Sequence, residues 1–330
     1  MDINLRNSIF GIADDADFKN MALAIFEYQY RTNAVYQLWA KCLNNTPETV
    51  SQLTELPFLP VEFFKNHIIV SGSEKTQKIF ESSGTTNSSV SKHHVTDLDL
   101  YAESFIKTFR MFYGNPSEYI ITALLPAYTE RGNSSLVYMV NSLIKMSNNP
   151  LSGFYNMADN AFIDNITSPV NGKKRLLFGV SFALLDLATK HPDLSGSTVM
   201  ETGGMKGKRK EITRHELHKT LAEAFNIPVV HSEYGMTELL SQAYSKGNGV
   251  FYPPPWMKIV LRDLCDPLTV FTEPGQTGGI NIIDLANINS CSFIATGDIG
   301  KLLPGGGFEV LGRFDNSDIR GCNLLTENFM

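Results

Sequence analysis

Short apolar runs alternate with amphipathic stretches from about residue 78 onward, and this alternation most constrains the fold of the chain. A pattern of this kind is typical of an α/β domain with a largely internal sheet. A capping-box pair, Thr213 with Glu216, marks the start of the last amphipathic stretch. The predicted strands span residues 119–125, 175–178, 198–201, 229–232 and 258–261. The predicted helices span residues 100–112, 134–146, 183–190 and 214–225.

The two ends of the chain differ from this middle part. Residues 17–44 show helical spacing and predict one long helix, or two helices joined near Thr32 and Asn33. Two prolines in residues 56–64 predict an extended segment before a short helix. Glycines punctuate short β-like runs in about the last 55 residues. We therefore divide the chain into a helical segment at 1–75, an α/β core at 76–270 and a glycine-rich β subdomain at 271–330.

Charge and cysteine usage exclude several classes of protein. The net charge is −6 and the longest basic run is residues 206–210, which disfavours nucleic acid as a partner. No secretory signal and no run of roughly 20 apolar residues is visible, so we expect a cytoplasmic protein without a membrane span. The four cysteines form no Cys-x-x-Cys pair and should be free thiols. We expect three of them to be small buried hydrophobes, and Cys322 lies in a Gly-Cys-Asn context near the end.

A loop of small hydroxyl residues follows the apolar run at residues 78–80. Backbone N–H groups and hydroxyls in such a loop can converge on an anion, and Lys92 adds a positive charge. These features suit the phosphates of a nucleotide, although a Ser/Thr-rich loop is more often a solvated turn. The loop does not have the Gly-x-x-x-x-Gly-Lys-Ser/Thr pattern. Its candidate residues are Ser82, Ser83, Gly84, Thr85 and Thr86.

Three later motifs carry groups suited to the rest of a nucleotide. The segment from Tyr234 and Gly235 to Thr237 and Glu238 is predicted to join a strand to a helix. Its last two residues would then stand where helix N–H groups favour phosphate, with the carboxylate available to Mg²⁺. An acidic residue that complements the helix dipole is the alternative.

The remaining two motifs lie near the C-terminal end. Asp298 follows a tight glycine turn and is a candidate acceptor for ribose hydroxyls, or simply a turn residue. Arg313, taken alone, would be a surface residue at a strand end.

Taken in order, these motifs resemble the motif series of the adenylate-forming superfamily, which includes acyl-CoA ligases and luciferase-type enzymes. The series includes Gly203 with Gly204, and the resemblance spans residues 80 to 322. Within the superfamily the chain looks most like the acyl-protein synthetase (LuxE) family. Three segments carry this closer resemblance, at residues 130–140, 234–242 and 312–322.

The resemblance implies a fold, an activity and a set of residue roles. The fold would be the α/β N-terminal core domain of an adenylate-forming enzyme, without the mobile C-terminal lid domain. The enzyme would use ATP and Mg²⁺ to activate a carboxylic acid as acyl-AMP, and would then transfer the acyl group to a protein thiol. The expected acid is a fatty acid. The resemblance assigns phosphate binding to Ser83, Thr85, Thr86 and Thr237, and Mg²⁺ binding to Glu238. It places Gly203 and Gly204 at the adenine edge and Asp298 and Arg313 at the ribose. The acyl group would be accepted by Cys322.

The chain departs from the superfamily pattern at two places. Asn87, Ser88 and Ser89 replace the glycine and proline that usually follow the Thr-Thr pair, which displaces Lys92 and puts its role in doubt. The roughly 100-residue lid domain, which brings a catalytic lysine, is also expected to be missing. Loss of the lid would remove much of the usual CoA site, and this favours a protein thiol as the acceptor.

Two other functions remain open. One is a phenylacetate-type acyl-CoA ligase, and the other is a catalytically silent subunit that binds a nucleotide or an acyl group. An acyl-reductase or acyl-carrier protein is a possible partner on the main interpretation. His215 and His218 could share a helix face with a metal ion, but such pairs are usually surface residues.

Overall fold

The computed structural model describes residues 3–82, 90–125, 132–169, 172–203 and 212–314. The helices in these ranges are α1 (Ile3–Ser8), α2 (Asp15–Thr32), α3 (Ala34–Cys42), α4 (Phe63–Asn66), α5 (Leu98–Tyr113), α6 (Ser135–Ser147), α7 (Asn160–Thr167), α8 (Ser181–Ala188) and α9 (Arg214–Phe225). Short 3₁₀ turns lie at Ile9–Gly11, Leu53–Glu55, Pro116–Glu118, Leu285–Asn287 and Pro304–Gly306.

The strands in the same ranges are β1 (Leu59–Pro60), β2 (Lys78–Glu81), β3 (Lys92–Val95), β4 (Tyr119–Leu124), β5 (Gly153–Phe154), β6 (Lys174–Gly179), β7 (Ser197–Glu201), β8 (His231–Tyr234), β9 (Ala243–Ser245), β10 (Val250–Phe251), β11 (Met257–Arg262), β12 (Val270–Phe271), β13 (Thr277–Asp284), β14 (Phe293–Leu302) and β15 (Phe308–Arg313). The five predicted strands and four predicted helices are confirmed to within a few residues. The capping box is also present, because Thr213 Oγ1 accepts from the Glu216 N–H and the Glu216 carboxylate accepts from the Thr213 N–H.

One sheet is mainly parallel and lies at the centre of the α/β part. Its strand order is β5-β4-β6-β7-β8-β9, and only the β8–β9 pairing is antiparallel. Strand β4 is buried at every residue, as expected for a parallel strand covered on both faces. Ligands of such sheets bind beyond the carboxyl ends of the strands, and in this sheet those ends include Gly179, Glu201 and Tyr234.

A second, mixed sheet holds the C-terminal strands. Its order is β10-β15-β14-β13-β11-β12, with β1 paired in parallel to β14. Strands before and after residue 271 belong to this one sheet, so the boundary that we placed between residues 270 and 271 does not separate two sheets. Gly300 lies at a bulge between β14 and β15, where an added Cβ would come 2.6 Å from the carbonyl oxygen of Glu309. A larger residue would separate the two strands, because backbone cannot yield as a side chain can.

The N-terminal helices pack against this second sheet. Helices α2 and α3 are separate and meet at Asn33, whose side chain accepts from the Tyr36 N–H. The buried Gln29 amide donates to the carbonyls of Asn287 and Ile288. Phe26, Tyr36 and Phe293 add ring contacts with centroids 5.9 to 6.3 Å apart. These contacts join the N-terminal segment to the part of the chain that carries Asp284 to Phe293.

Strands β2 and β3 form a separate antiparallel hairpin, and residues 83–89 between them are outside the described ranges. The extended segment and short helix predicted at residues 56–64 are confirmed as β1 and α4. None of the helices in the described ranges combines the length and the apolar character that crossing a bilayer requires.

Candidate active site

Asp298, Arg313 and Tyr234 form a hydrogen-bonded group at the junction of the two sheets. Asp298 and Arg313 stand directly opposite each other on β14 and β15. Arg313 Nε donates to Asp298 Oδ1 at 2.8 Å, and the Tyr234 hydroxyl donates to Oδ2 at 2.8 Å. The Asp298 side chain is only 6% exposed, whereas that of Arg313 is 54% exposed. Arg313 can therefore contact a ligand while it pairs with a buried carboxylate.

Asp298 lies within β14 and not after a turn, so the prediction of a tight glycine turn before it is wrong. A second arginine supports this part of the strand. Arg262 donates through Nη2 to the carbonyl of Thr296 at 2.5 Å and through Nη1 to the carbonyl of Ile280 at 2.8 Å. The Thr296 hydroxyl accepts from the Asp298 N–H at 3.0 Å. Burial lowers the pKa of Arg262. The strand is thus held at the carbonyl of Thr296 and at the N–H of Asp298.

The buried carboxylate of Asp298 changes the pKa of Tyr234. Burial and the neighbouring charge of Asp298 raise the pKa of Tyr234 well above its ordinary value, so the hydroxyl stays protonated and remains a donor. A carboxylate offers about four lone-pair sites, and Tyr234 and Arg313 occupy two of them. Asp298 retains acceptor capacity for two further hydroxyl groups.

The segment after β8 is a turn and not the start of a helix, so the prediction of a helix at Thr237 and Glu238 is wrong. The buried carboxylate of Asp284 explains the difference. Its Oδ2 accepts from the N–H groups of Leu240 and Ser241, both at 2.9 Å, and its Oδ1 accepts from the Ser241 hydroxyl at 2.6 Å. These N–H groups are thereby satisfied from outside the segment, and the chain returns directly into β9.

The carbonyl groups of this turn are held by two buried side chains. His93 Nδ1 lies 2.8 Å from the carbonyl oxygen of Thr237, and Asn287 Nδ2 donates to the carbonyl of Glu238 at 2.8 Å. Burial lowers the pKa of His93 to about 4, so its imidazole is neutral at physiological pH. A neutral ring that donates through Nδ1 fixes Thr237 without adding charge to the site.

The Glu238 carboxyl is itself buried, with 5% exposure. Burial raises its pKa, and a hydrogen bond from the Ser91 side chain and the charges of Arg313 and Lys65 act in the opposite direction. The guanidinium of Arg313 therefore acts on two carboxylates, Asp298 and Glu238. Arg313 thus connects the predicted ribose residue Asp298 with the predicted Mg²⁺ ligand Glu238.

Ser91 also closes the base of the hydroxyl loop. Its N–H donates to Ser82 Oγ at 2.9 Å, and the Ser82 N–H donates to the Ser91 carbonyl at 3.1 Å. The predicted residues Ser83, Gly84, Thr85 and Thr86 lie outside the described residues. Lys92 is exposed at the start of β3. The base of the loop is thus connected through Ser91 to Glu238.

The two predicted glycine positions differ in what they require. Gly203 has a φ of +75° and open space where a Cβ would stand, so conformation and not room selects glycine there. Gly204 is outside the described residues. At Gly235, a Cβ would collide with the Glu233 carboxyl. Gly235 therefore allows the chain to pass close to that side chain.

Comparison with known families decides the classification. The sequence model of the family described as "Acyl-protein synthetase, LuxE" matches residues 13–330. The chain belongs to the LuxE family. No curated protein sequence matches it at a significant level.

Solved structures show which fold this LuxE-family chain adopts. The 2-hydroxyisobutyryl-CoA ligase bound to 2-HIB-AMP and CoA is 12% identical, with a TM-score of 0.64 over 94% of this chain and 71% of that one. ATP-bound MatB from Rhodopseudomonas palustris is 16% identical, with a TM-score of 0.55 over 73% of this chain and 49% of that one. FadD1, a long-chain-fatty-acid-CoA ligase from Archaeoglobus fulgidus, is 16% identical, with a TM-score of 0.52 over 76% and 54%.

The fold is therefore that of the core of adenylate-forming enzymes. The chain spans about half the length of MatB and FadD1.

The cysteines of this LuxE-family chain correct one expectation. Cys42 and Cys265 are exposed and only Cys291, among the described cysteines, is buried, so the expectation of three buried cysteines is wrong. Cys42 is the last residue of α3 and Cys265 follows β11, and the sequence alone did not indicate that either is exposed. Burial raises the pKa of Cys291 to about 12, which makes its thiol a poor nucleophile. Cys322 lies outside the described residues.

His218 is not a surface residue either. Its side chain is 14% exposed, and its Nε2 lies 3.2 Å from Ser232 Oγ and 3.9 Å from Glu201 Oε2. Within the described ranges, no group of three or more His, Cys, Asp or Glu side chains could hold a metal ion. His218 therefore belongs to a largely buried polar cluster with Ser232 and Glu201, and is not the surface residue that the sequence led us to expect.

Sequence reasoning missed the residues that support the site from within the fold. They share no motif, because each acts through one buried hydrogen bond to a distant segment. Only the alternation on β3, with the polar Ser91 and His93 on the buried side of the exposed Lys92, offered a signal. The missed residues are Ser91, His93, Glu201, Arg262, Asp284 and Asn287.

Proposed function

We propose that this chain uses ATP to activate a carboxylic acid as an acyl-adenylate and then passes the acyl group to a protein thiol. The observation that carries the proposal is the position of Arg313, which pairs with Asp298 and also acts on the charge of Glu238. A ribose acceptor and a candidate metal ligand thus share one cationic neighbour. Membership of the LuxE family, and the ATP and acyl-AMP bound to two enzymes of the same fold, support this interpretation.

In the first step, a carboxylate oxygen of the acid attacks the α-phosphorus of ATP. A new O–P bond forms, the bond from the α-phosphorus to the bridging oxygen breaks, and pyrophosphate leaves with that electron pair. Negative charge builds up on the phosphates as this happens. Arg313, Thr237 and the hydroxyl loop based on Ser82 would meet that charge, and such preorganised groups lower the barrier most.

The residues present fit Mg²⁺ held largely by the nucleotide. The Glu238 carboxyl is withdrawn from water and lies next to the base of the hydroxyl loop, so a cation there would relieve its desolvation. Mg²⁺ in nucleotide sites commonly takes one or two carboxylates and completes its shell with phosphates and water. When bound, Mg²⁺ would neutralise developing charge on the phosphates.

Asp298 and Tyr234 would orient the sugar. The remaining acceptor capacity of Asp298 matches the two hydroxyls of a ribose, and Tyr234 fixes the direction of the carboxylate. A ribose held in one orientation also holds the α-phosphorus in a fixed position next to the bound acid. Such orientation of the reacting atoms increases the rate of the reaction.

In the second step, a thiolate attacks the carbonyl carbon of the mixed anhydride. A C–S bond forms, the C–O bond to AMP breaks, and AMP leaves with the electron pair, while the thiol proton has already passed to solvent. Cys322 is the proposed acceptor, and a fatty acid is the proposed substrate, both by resemblance to the family. A reductase or an acyl-carrier protein is the proposed partner that receives the acyl group.

The experiment is acylation with a labelled fatty acid and ATP. Label should remain on the protein and be released by neutral hydroxylamine, which cleaves thioesters. Cys322→Ser should lose this label, and Cys42→Ser and Cys265→Ser are matched controls because both are exposed thiols that should keep it. Hydroxylamine-labile label in Cys322→Ser would contradict the assignment. Faster discharge by free CoA than by any protein thiol would favour a CoA ligase.

A further inference from the structure

Glu201 is a buried carboxylate at the carboxyl end of β7, and no motif of the family resemblance includes it. The residue is 4% exposed. Its Oε1 accepts from the Ser181 hydroxyl at 2.5 Å and from the Gly203 N–H at 2.6 Å. One oxygen therefore joins the start of α8 to the first glycine of the predicted adenine segment.

The second oxygen of Glu201 faces another pair of donors. The Ser232 hydroxyl lies 3.4 Å from Oε2, and His218 Nε2 lies 3.9 Å from it. Burial acts to raise the pKa of Glu201, but hydrogen bonds from His218 and Ser181 and the charge of Arg214 lower it overall. Glu201 is therefore ionised at neutral pH and surrounded by donors.

Gly203 is held on both sides of its Cα, through the two peptide groups that it joins. Its N–H donates to Glu201, and its carbonyl accepts from the Ser181 N–H at 2.9 Å. The left-handed φ of Gly203 turns the chain away from the direction of the strand. A carbonyl has two lone pairs, so the oxygen of Gly203 can accept one more hydrogen, such as one from the amino group of a purine.

We propose that Glu201 is a positioning residue that fixes the conformation of Gly203 for recognition of the adenine base. The inference rests on the proposed nucleotide site, and it adds to that site a carboxylate that does not touch the ligand. Its physical basis is that a glycine tied at both its N–H and its C=O cannot change its φ and ψ to redirect its carbonyl toward another base. Without the carboxylate, the N–H of Gly203 would lose its buried partner, and the residue could change its φ and ψ and so redirect its carbonyl.

Glu233, on the next strand of the sheet, provides a matched control. Burial and the charge of Glu201 raise its pKa to about 8, so Glu233 is protonated at neutral pH. Glu233→Gln replaces a neutral carboxyl by an amide of the same shape. We expect the Kd for ATP to change by less than about 2-fold, since no charge is lost at that pH.

The experiment compares the Kd for ATP with the Kd for ITP, which carries an oxygen in place of the purine amino group, by titration calorimetry. Glu201→Met keeps the length of the side chain but removes both acceptors. We expect the Kd for ATP to rise about 10-fold, while the Kd for ITP changes little, so the preference for ATP falls. Glu201→Gln can still turn its amide oxygen toward the Gly203 N–H, and it should stay within about 3-fold of wild type.

Loss of ATP and ITP affinity to the same extent in Glu201→Met would show a merely structural role and overturn the proposal. Unchanged affinity and unchanged preference would overturn it as well. If Glu201→Met does not fold, Glu201→Asp decides, because it keeps the charge but withdraws the carboxylate from Gly203 and should also lose the preference for ATP. A wild-type protein that binds no nucleotide refutes the proposed function itself, which distinguishes that failure from a failure of Glu201 alone.

Discussion

The ribose contact can be tested by replacing Asp298 with asparagine. Alanine would leave both Tyr234 and Arg313 without a partner, and Asp298 is nearly fully buried, so a loss of stability would obscure the result. Asparagine keeps the shape of the side chain. Its oxygen should face Arg313, which can only donate, and its NH₂ group should face Tyr234, whose hydroxyl can reverse and accept.

In that orientation the asparagine loses acceptor capacity on the side of its NH₂ group. One of the two ribose hydroxyls then has no acceptor. A hydrogen bond to a charged group is worth about 1.5–3 kcal/mol, so the Kd for ATP should rise roughly 10- to 150-fold.

The assay is titration calorimetry with ATP and with 2′,3′-dideoxy-ATP. Wild-type protein should prefer ATP, and Asp298→Asn should lose most of this preference, because the dideoxy analogue never made the contact. Tyr234→Phe is a milder variant for comparison, since it removes the donor that orients Asp298 but leaves both acceptors for the sugar. The reasoning is refuted if wild type binds both nucleotides equally, or if Asp298→Asn retains the preference of wild type.

Three further changes test other parts of the account. Glu238→Gln should lower the rate of acyl-adenylate formation by about 100-fold, measured as pyrophosphate release, because a charge-stabilising group is lost; an unchanged rate would exclude Glu238 from the site. Ser91→Ala removes a hydrogen bond that lowers the pKa of Glu238, so the acid limb of the pH–rate profile should move to higher pH; a shift to lower pH would contradict this. The raised pKa of Glu233 means that the unfolded chain releases this proton first, so Glu233 lowers the free energy of unfolding as the pH rises from about 4.5 to about 8. Glu233→Gln should therefore gain stability over wild type between pH 4 and pH 8, by on the order of 4 kcal/mol, because each pKa unit corresponds to about 1.4 kcal/mol. Urea titrations at the two pH values measure this gain, and a difference between the two proteins that does not change with pH would refute it.

The parallel sheet could be predicted because its strands are buried on both faces. Continuous apolar runs such as residues 119–124 are short enough for strands and are separated by stretches with helical spacing, so local pattern and final fold agree. The break between α2 and α3 was predictable for a similar reason, since Asn33 is a good N-cap and interrupts an otherwise continuous helical pattern.

The turn at residues 236–240 could not be predicted in this way. Its conformation depends on Asp284, which lies more than forty residues later in the chain and takes up the N–H groups that a helix would have used. Nothing in the local sequence records that interaction. The same holds for Glu201 and His218, which look like ordinary strand and helix residues until the fold brings them together.

The motif residues were easier to place than their neighbours. The order of the motifs indicated that Tyr234, Asp298 and Arg313 belong to one site, and the structure brings these three into direct contact. It did not indicate that Ser91 would join the hydroxyl loop to Glu238. The motifs therefore identified residues that contact one another, and they did not identify the buried residues that hold them in place.

ATP–pyrophosphate exchange tests the central claim most directly. The purified chain would be mixed with ATP, Mg²⁺, labelled pyrophosphate and a panel of short, branched, aromatic and long-chain carboxylic acids. The account predicts that label enters ATP only when a suitable acid and Mg²⁺ are both present, and that Cys322→Ser retains the exchange, because the first step does not use this thiol. Binding of ATP without exchange for every acid in the panel would contradict the account and indicate a catalytically silent nucleotide-binding protein.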